Sequence, residues 1–224
     1  QASPTSILSR YNTNSMANRV LIAGQSSPLL YQLSREAHNA GHQVVVTREP
    51  DEQLPPQTDV QHVVWNRRSP LGPRTVLLET RKRIGNPDWI VICHADPGQH
   101  PEFHLSPPSR IEHQTDNTIK AYLFMAREAI GQFLTSGGGS LTVVEMHPGA
   151  QAQAPIAGLV SGAMEAFTDA LGRAYESRGI HIQGFGGDDT DPEGFAAFVM
   201  EADTGRTARW QQFSGRLRRS RPPR

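Results

Sequence analysis

The chain has 224 residues, long enough for one substantial α/β domain. Its 22 Lys and Arg residues balance its 22 Asp and Glu residues, so no overall field draws it to nucleic acid or to a membrane. The single cysteine, Cys93, rules out an internal disulfide framework and fits a reducing compartment, the cytoplasm, and no run is long and apolar enough to span a bilayer.

Residues 1–15 are polar and patternless, and Met16 reads as a natural start, so 1–15 are set aside as an arm or an expression remnant. Residues 16–215 read as one domain. Residues 216–224 hold five arginines and two prolines and read as a basic, disordered tail, with contact to an acidic partner as the other reading.

The domain opens at Asn18–Leu30 with a buried strand, a tight turn at Gly24 and the start of a helix. Leu29, Leu30, Leu33 and Ala37 share one helical face, Gly41 closes the helix, and Pro28 suits its first turn. Gln43–Thr47 is a second strand, followed directly by Arg48, and Leu54–Thr58 is a Pro-rich loop. Gln61–Trp65 is a third strand ending at Asn66-Arg67-Arg68. A helix over Pro73–Ile84 stops at Gly85-Asn86-Pro87, and Trp89–Cys93 is a fourth, wholly apolar strand. Pro97–Pro108 is a loop rich in Pro and His.

A long helix is predicted over Gln114–Leu134, with Ile119, Leu123, Ala126, Ile130 and Phe133 on its buried stripe. Gly137-Gly138-Gly139 reads as a flexible break, and Leu141–Met146 as the fifth strand. Another helix covers Ala157–Ser177, with Leu159, Ala163, Phe167, Leu171 and Ala174 in register and small residues that permit close helix packing. Ile180–Gln183 is the sixth strand, Gly184-Phe185-Gly186-Gly187 a loop, Gly194–Glu201 a short helix, and Thr207–Phe213 a last short strand. Strands this uniformly apolar are buried on both faces, as in a parallel sheet. The alternation with helices predicts a single α/β domain, a Rossmann-like doubly wound parallel sheet.

The order of these motifs resembles the short-chain dehydrogenase/reductase family over Asn18–Gly215. Ala23-Gly24-Gln25-Ser26-Ser27-Pro28-Leu29-Leu30 stands where that family has Thr-Gly-x-x-x-Gly-Ile-Gly. Cys93-His94-Ala95-Asp96 matches its Asn-Asn-Ala-Gly, and Asn117 matches the asparagine of its catalytic tetrad. Gly158-Leu159-Val160-Ser161-Gly162-Ala163 matches Tyr-x-x-Ser-Lys-Ala. Thr204-Gly205-Arg206 and Phe213-Ser214-Gly215 resemble the closing Thr-Gly-Gln and Asp-Gly-Gly.

The departures matter more. In the family the tyrosine is the acid/base, and the lysine lowers its pKa and holds the nicotinamide ribose. Here those positions are Gly158 and Gly162, which have no proton to transfer. The family serine falls on Glu145 or Met146, so Asn117 alone of the tetrad remains. Pro28 offers no N–H to a phosphate, and Leu30 is bulky where close packing is wanted. After the sixth strand no long substrate lid follows.

The resemblance with these losses implies a catalytically inactive protein, with no cofactor or with NADP if any. It would bind or scaffold through the helices at Gln114–Leu134 and Ala157–Ser177, which pack across subunit interfaces in the family. The implied partners are a second copy, as a homodimer or homotetramer, or an active reductase in a hetero-oligomer. The alternative is an NAD(P)H-dependent oxidoreductase with a displaced acid, for which Glu145, His147 and His94 are the candidates. Gly24, Arg48 (toward a 2′-phosphate) and Asn66 (toward adenine) are the remaining cofactor-binding positions.

Other chemistry fares worse. Ser161 lacks the flanking glycines of a hydrolase elbow. Cys93, His94, Asp96, His100, His104 and His147 are metal-binding types, but their spacing matches no closed site, so no metal is expected. Arg67, Arg68, Arg81, Lys82 and Arg83 read as solvated surface, having no interleaved aromatics.

Overall fold

The computed structural model describes residues 18–52, 60–96, 102–148, 154–202, 204–207 and 209–213. The expectations for 1–15, for the 54–58 loop, for the 216–224 tail and for His100 lie outside the described residues.

Seven strands alternate with helices. They are β1 (Arg19–Gly24), β2 (Gln43–Arg48), β3 (Gln61–Val64), β4 (Trp89–Ala95), β5 (Gly139–His147), β6 (Ile180–Asp188) and β7 (Gln211–Gln212). All pair in parallel, in the order β3-β2-β1-β4-β5-β6-β7. The helices are α1 (Pro28–Asn39), α2 (Gly72–Ile84), α3 (Pro108–Thr115), α4 (Ala121–Ser136), α5 (Pro155–Tyr175) and α6 (Pro192–Met200).

Two hydrophobic layers result. Leu21, Ile90, Ile92 and Val143 of the sheet pack with α2, α4 and α5. Val20, Val46, Val91 and Val144, on the other face, pack with α1 and α6. Strands covered on both sides have no polar face to show, which is why the sequence runs were continuously apolar. Each fully buried Val, Leu or Ile contributes about 1.5–3 kcal/mol of transfer free energy. Within the sheet, Trp89 Nε1 donates to Thr142 Oγ1 at 2.9 Å, and Gln183 Nε2 donates to the same oxygen at 3.3 Å.

Pro28 does start α1. Ser27 caps it, its hydroxyl accepting from the Leu30 N–H at 3.2 Å. Leu30 is buried in the core.

Several expectations are corrected. The helix predicted from Gln114 begins at Pro108, and Asp116–Lys120 form one π-helical turn between α3 and α4. Leu123 lies off the buried face, which carries Tyr122, Met125 and Ala129 beside the expected Ala126, Ile130 and Phe133. The π turn inserts an extra residue per turn and rotates the phase of everything after it. On α5 the buried stripe is Ala157, Val160, Met164, Thr168 and Gly172, not that of Leu159, which is 60% exposed.

The glycine triplet is a tight junction, not a flexible break. Gly137 ends α4 with φ +90°, and a Cβ on Gly139 would collide with the Phe133 ring. Gly184–Gly187 are strand, not loop. A Cβ on Gly184 would meet the Trp210 ring, and one on Gly187 the Phe195 ring at 3.0 Å. Glycine here marks close approach of aromatic rings to the sheet, not a turn.

Candidate functional site

Strand order reverses between β1 and β4, and ligands of doubly wound sheets bind outside the carboxyl ends of the strands at such a point. Two cavities lie there. An outer chamber of about 300 Å³ is bordered by Glu49, Asp51, Trp65, Asn66 and Arg68 at the ends of β2 and β3. An inner chamber of about 360 Å³ is bordered by His94 and Asp96 at the end of β4, by α3, and by Ile156, Ala157 and Val160 of α5. Arg67 and Asn117 border both.

Arg67 therefore stands between the chambers. It was expected on a solvated surface, but its side chain is only 7% exposed. Its guanidinium donates to Glu49 Oε1 at 2.6 Å, to the Asn117 carbonyl at 2.9 Å and to Gln25 Oε1 at 3.5 Å. These partners belong to the end of β2, the π turn and the β1–α1 turn, so one side chain ties three loops together. Nothing local in the sequence marks it, because its partners lie 18, 50 and 42 residues away.

The first turn is equally occupied. The Gly24 N–H donates to Thr47 Oγ1 at 2.9 Å, and Thr47 Oγ1 donates to the Gly24 carbonyl at 3.1 Å. A Cβ on Gly24 would sit 2.5 Å from Cys93 Sγ, so this glycine is required by strand packing. Cys93 itself is buried, and burial pushes its thiol up to about 12. Glu52 lays its carboxylate at the start of α1, accepting from Ser26 Oγ, from Tyr31 OH at 2.6 Å and from the Glu49 N–H at 3.1 Å. Burial opposes its ionisation, but these bonds outweigh it and hold the carboxyl below the usual glutamate range. A carboxylate thus occupies the neighbourhood of a helix N-terminus, where phosphates bind in other proteins.

Of the other cofactor-binding candidates, Arg48 donates to the carbonyls of Glu49 (3.2 Å) and Glu52 (3.3 Å), and so braces its own loop. Asn66 Oδ1 accepts from the Arg68 N–H at 3.2 Å. Asn117 sits in the π turn, a device frequent at functional sites.

The three displaced-acid candidates separate. His94 is buried on the floor of the inner chamber, its Nδ1 3.3 Å from Tyr122 OH. Glu145 is the register partner of His94 on β5 and accepts from Ser161 Oγ at 2.6 Å. Burial raises its pKa, against the opposing effect of the Ser161 bond. His147 ends β5, its Nδ1 3.3 Å from the Pro148 carbonyl, and does not border the inner chamber. Gly158 is half-buried and Gly162 exposed. Along the whole of α5 there is no lysine, and its one tyrosine is the last residue, Tyr175. Among the described residues no three or more His, Cys, Asp or Glu gather in a geometry for a metal ion, and no helix is long and apolar enough to cross a membrane. Sequence reasoning missed Gln25, Glu52, Tyr122, Arg110 and His113. Tyr31 and Glu52 stand 21 residues apart, so nothing local in the sequence signals their bond.

No protein-family model matches the chain. No curated protein matches it either. Solved structures do. An L-sorbose reductase from Gluconobacter frateurii, complexed with NADPH and L-sorbose, aligns with TM-score 0.71 at 15% identity, covering 89% of this chain and 96% of its own. A short chain dehydrogenase from Mycobacterium smegmatis aligns with TM-score 0.71 at 16% identity, covering 89% and 92%. A 3-ketoacyl-(acyl-carrier-protein) reductase from Brucella melitensis, complexed with NADH, gives 0.69 at 12%, covering 86% and 96%. The seven-stranded parallel sheet with helices on both faces is the short-chain dehydrogenase/reductase fold.

Proposed function

We propose that this chain is a catalytically inactive protein on the reductase fold, acting as a binding, scaffolding or partner subunit through α4 and α5. The observation that carries the reading is α5 itself, which has neither a lysine nor, before Tyr175, a tyrosine to move a proton. The crevice supports it. Arg67 divides it, and Glu52 occupies the first turn of α1, where a dinucleotide needs one continuous path. Leu159 and Leu123, with Gly162 between turns of α5, leave apolar and small side chains exposed on the two helices. The partner we assign to that surface is a second copy, as a dimer or tetramer, or an active reductase, in the cytoplasm.

Calorimetric titration with NADPH and NADH, on a sample whose oligomeric state is measured by light scattering, tests this. The expected result is no heat and a stable oligomer. Micromolar binding, or a monodisperse monomer that captures no reductase, overturns it.

A second reading has one observation in its favour. His94 borders the inner chamber with Tyr122 behind it, the place for a displaced acid of an NAD(P)H-dependent oxidoreductase. Several proteins of the same fold were solved with NADPH or NADH bound. Reproducible cofactor turnover abolished by His94→Gln would establish this reading in place of the first.

A further inference from the structure

We infer that the inner chamber is a self-contained binding site for a small organic anion, a carboxylate or phosphate monoester on an apolar body. This names a ligand class for the crevice and rests on the cofactor-free reading given above.

The volume, about 360 Å³, lies in the range of small-molecule sites and near its lower end. It suits a compact metabolite, not a dinucleotide. The chemistry of the lining is sorted. Helix α5 supplies Ile156, Ala157 and Val160, an apolar patch. Helix α3 supplies Arg110 and His113, one turn apart and bordering the same space. Arg67 adds a second guanidinium at the inner end, and Asp96 is the only carboxylate among the described lining residues.

The two arginines differ in state. Arg67 is neutralised by Glu49 at 2.6 Å. Arg110 makes no side-chain hydrogen bond or ion pair with any described residue. A planar guanidinium with its fork unengaged matches a carboxylate or phosphate bidentately. An anion placed there leaves its apolar portion against Ile156 and Val160.

The π turn is an independent sign. It lies on the chamber wall through Asn117 and Thr118, and its Asn117 carbonyl accepts from Arg67. A π turn in a helix is rare and is frequently found at functional sites. Here the turn forms part of the chamber wall, fixed from the other side by the Arg67 bond.

The probes are benzoate, phenyl phosphate and neutral benzamide, titrated into the full chain by calorimetry alongside NADPH. The expected result is saturable binding of benzoate or phenyl phosphate, with benzamide at least about tenfold weaker. Arg110→Gln, on an exposed position, weakens the anion by about tenfold or more while the ligand-free unfolding midpoint stays unchanged. His113→Gln weakens it less. The inference is overturned if neither anion binds up to about 10 mM, if benzamide binds as tightly, or if Arg110→Gln binds like the wild type. The two readings fail separately. NADPH binding with anion binding retained refutes only the cofactor-free reading. Silence toward both anions and NADPH refutes only this inference.

Discussion

Replacing Arg67 by methionine tests the partition directly. Methionine keeps most of the buried stem and its packing, so the change removes mainly the guanidinium. Two losses follow. The Glu49 pair is worth about 1 kcal/mol, because Glu49 is 43% exposed and regains water once its partner is gone. The Asn117 carbonyl loses its donor at 2.9 Å, which costs about 1–3 kcal/mol where water does not replace it. The sum is about 2–4 kcal/mol. For a chain of this length that lowers Tm by roughly 5–15 °C. Urea denaturation followed by circular dichroism, with a thermal melt on the same sample, measures it. A loss below about 0.5 kcal/mol refutes the argument that this side chain ties the three loops together. A double-mutant cycle with Glu49→Gln then apportions the pair, with coupling expected at about 1 kcal/mol or less.

Two further outcomes are expected. Burial raises the Glu145 carboxyl pKa above its unfolded value, so the native state binds the proton more tightly and stability falls as pH rises from the ordinary glutamate range through the raised native value. Glu145→Gln, which can still accept from Ser161, should match the wild type near pH 4 and exceed it at pH 7; parallel pH–stability curves would contradict this. At Gly184 an added methyl meets the Trp210 ring and sits 3.0 Å from the Thr168 methyl, so Gly184→Ala should cost about 1–3 kcal/mol and expose Trp210 to water. An unchanged urea midpoint with unshifted tryptophan fluorescence would show that Trp210 yields freely.

The strands were legible because burial on both faces leaves an unbroken apolar run that nothing else in a polar chain imitates. Pro28 was legible as a helix start because proline's fit to a first helical turn is local, whereas the Ser27 cap emerged only in the structure. What failed was non-local. Gly184–Gly187 looked like a loop, since the rings that demand glycine, Trp210 and Phe195, come later in the chain, Trp210 26 residues after Gly184. The stripe of α5 was misphased because Leu159 and Phe167 compete with Val160 and Met164, and only the sheet decides which face is covered. At the site, Gly24, Asn117 and His94 were singled out through position in a familiar order of motifs. Arg67, which organises the crevice, was invisible: an arginine after a strand is usually solvated, and its burial follows from partners on three other segments.

The position of Cys93 under Gly24 has a practical use. The native thiol is sealed in the sheet and pushed up to about 12, so it offers almost no thiolate to a maleimide or an oxidant near neutral pH. This 224-residue chain, with its one cysteine buried, is thus already blank for site-directed labelling. A cysteine introduced at an exposed position away from α4 and α5, such as Leu78, would take a fluorophore or spin label alone, with no background to remove first. Distances between labels on two copies would then test whether the chains meet, without altering a single buried residue.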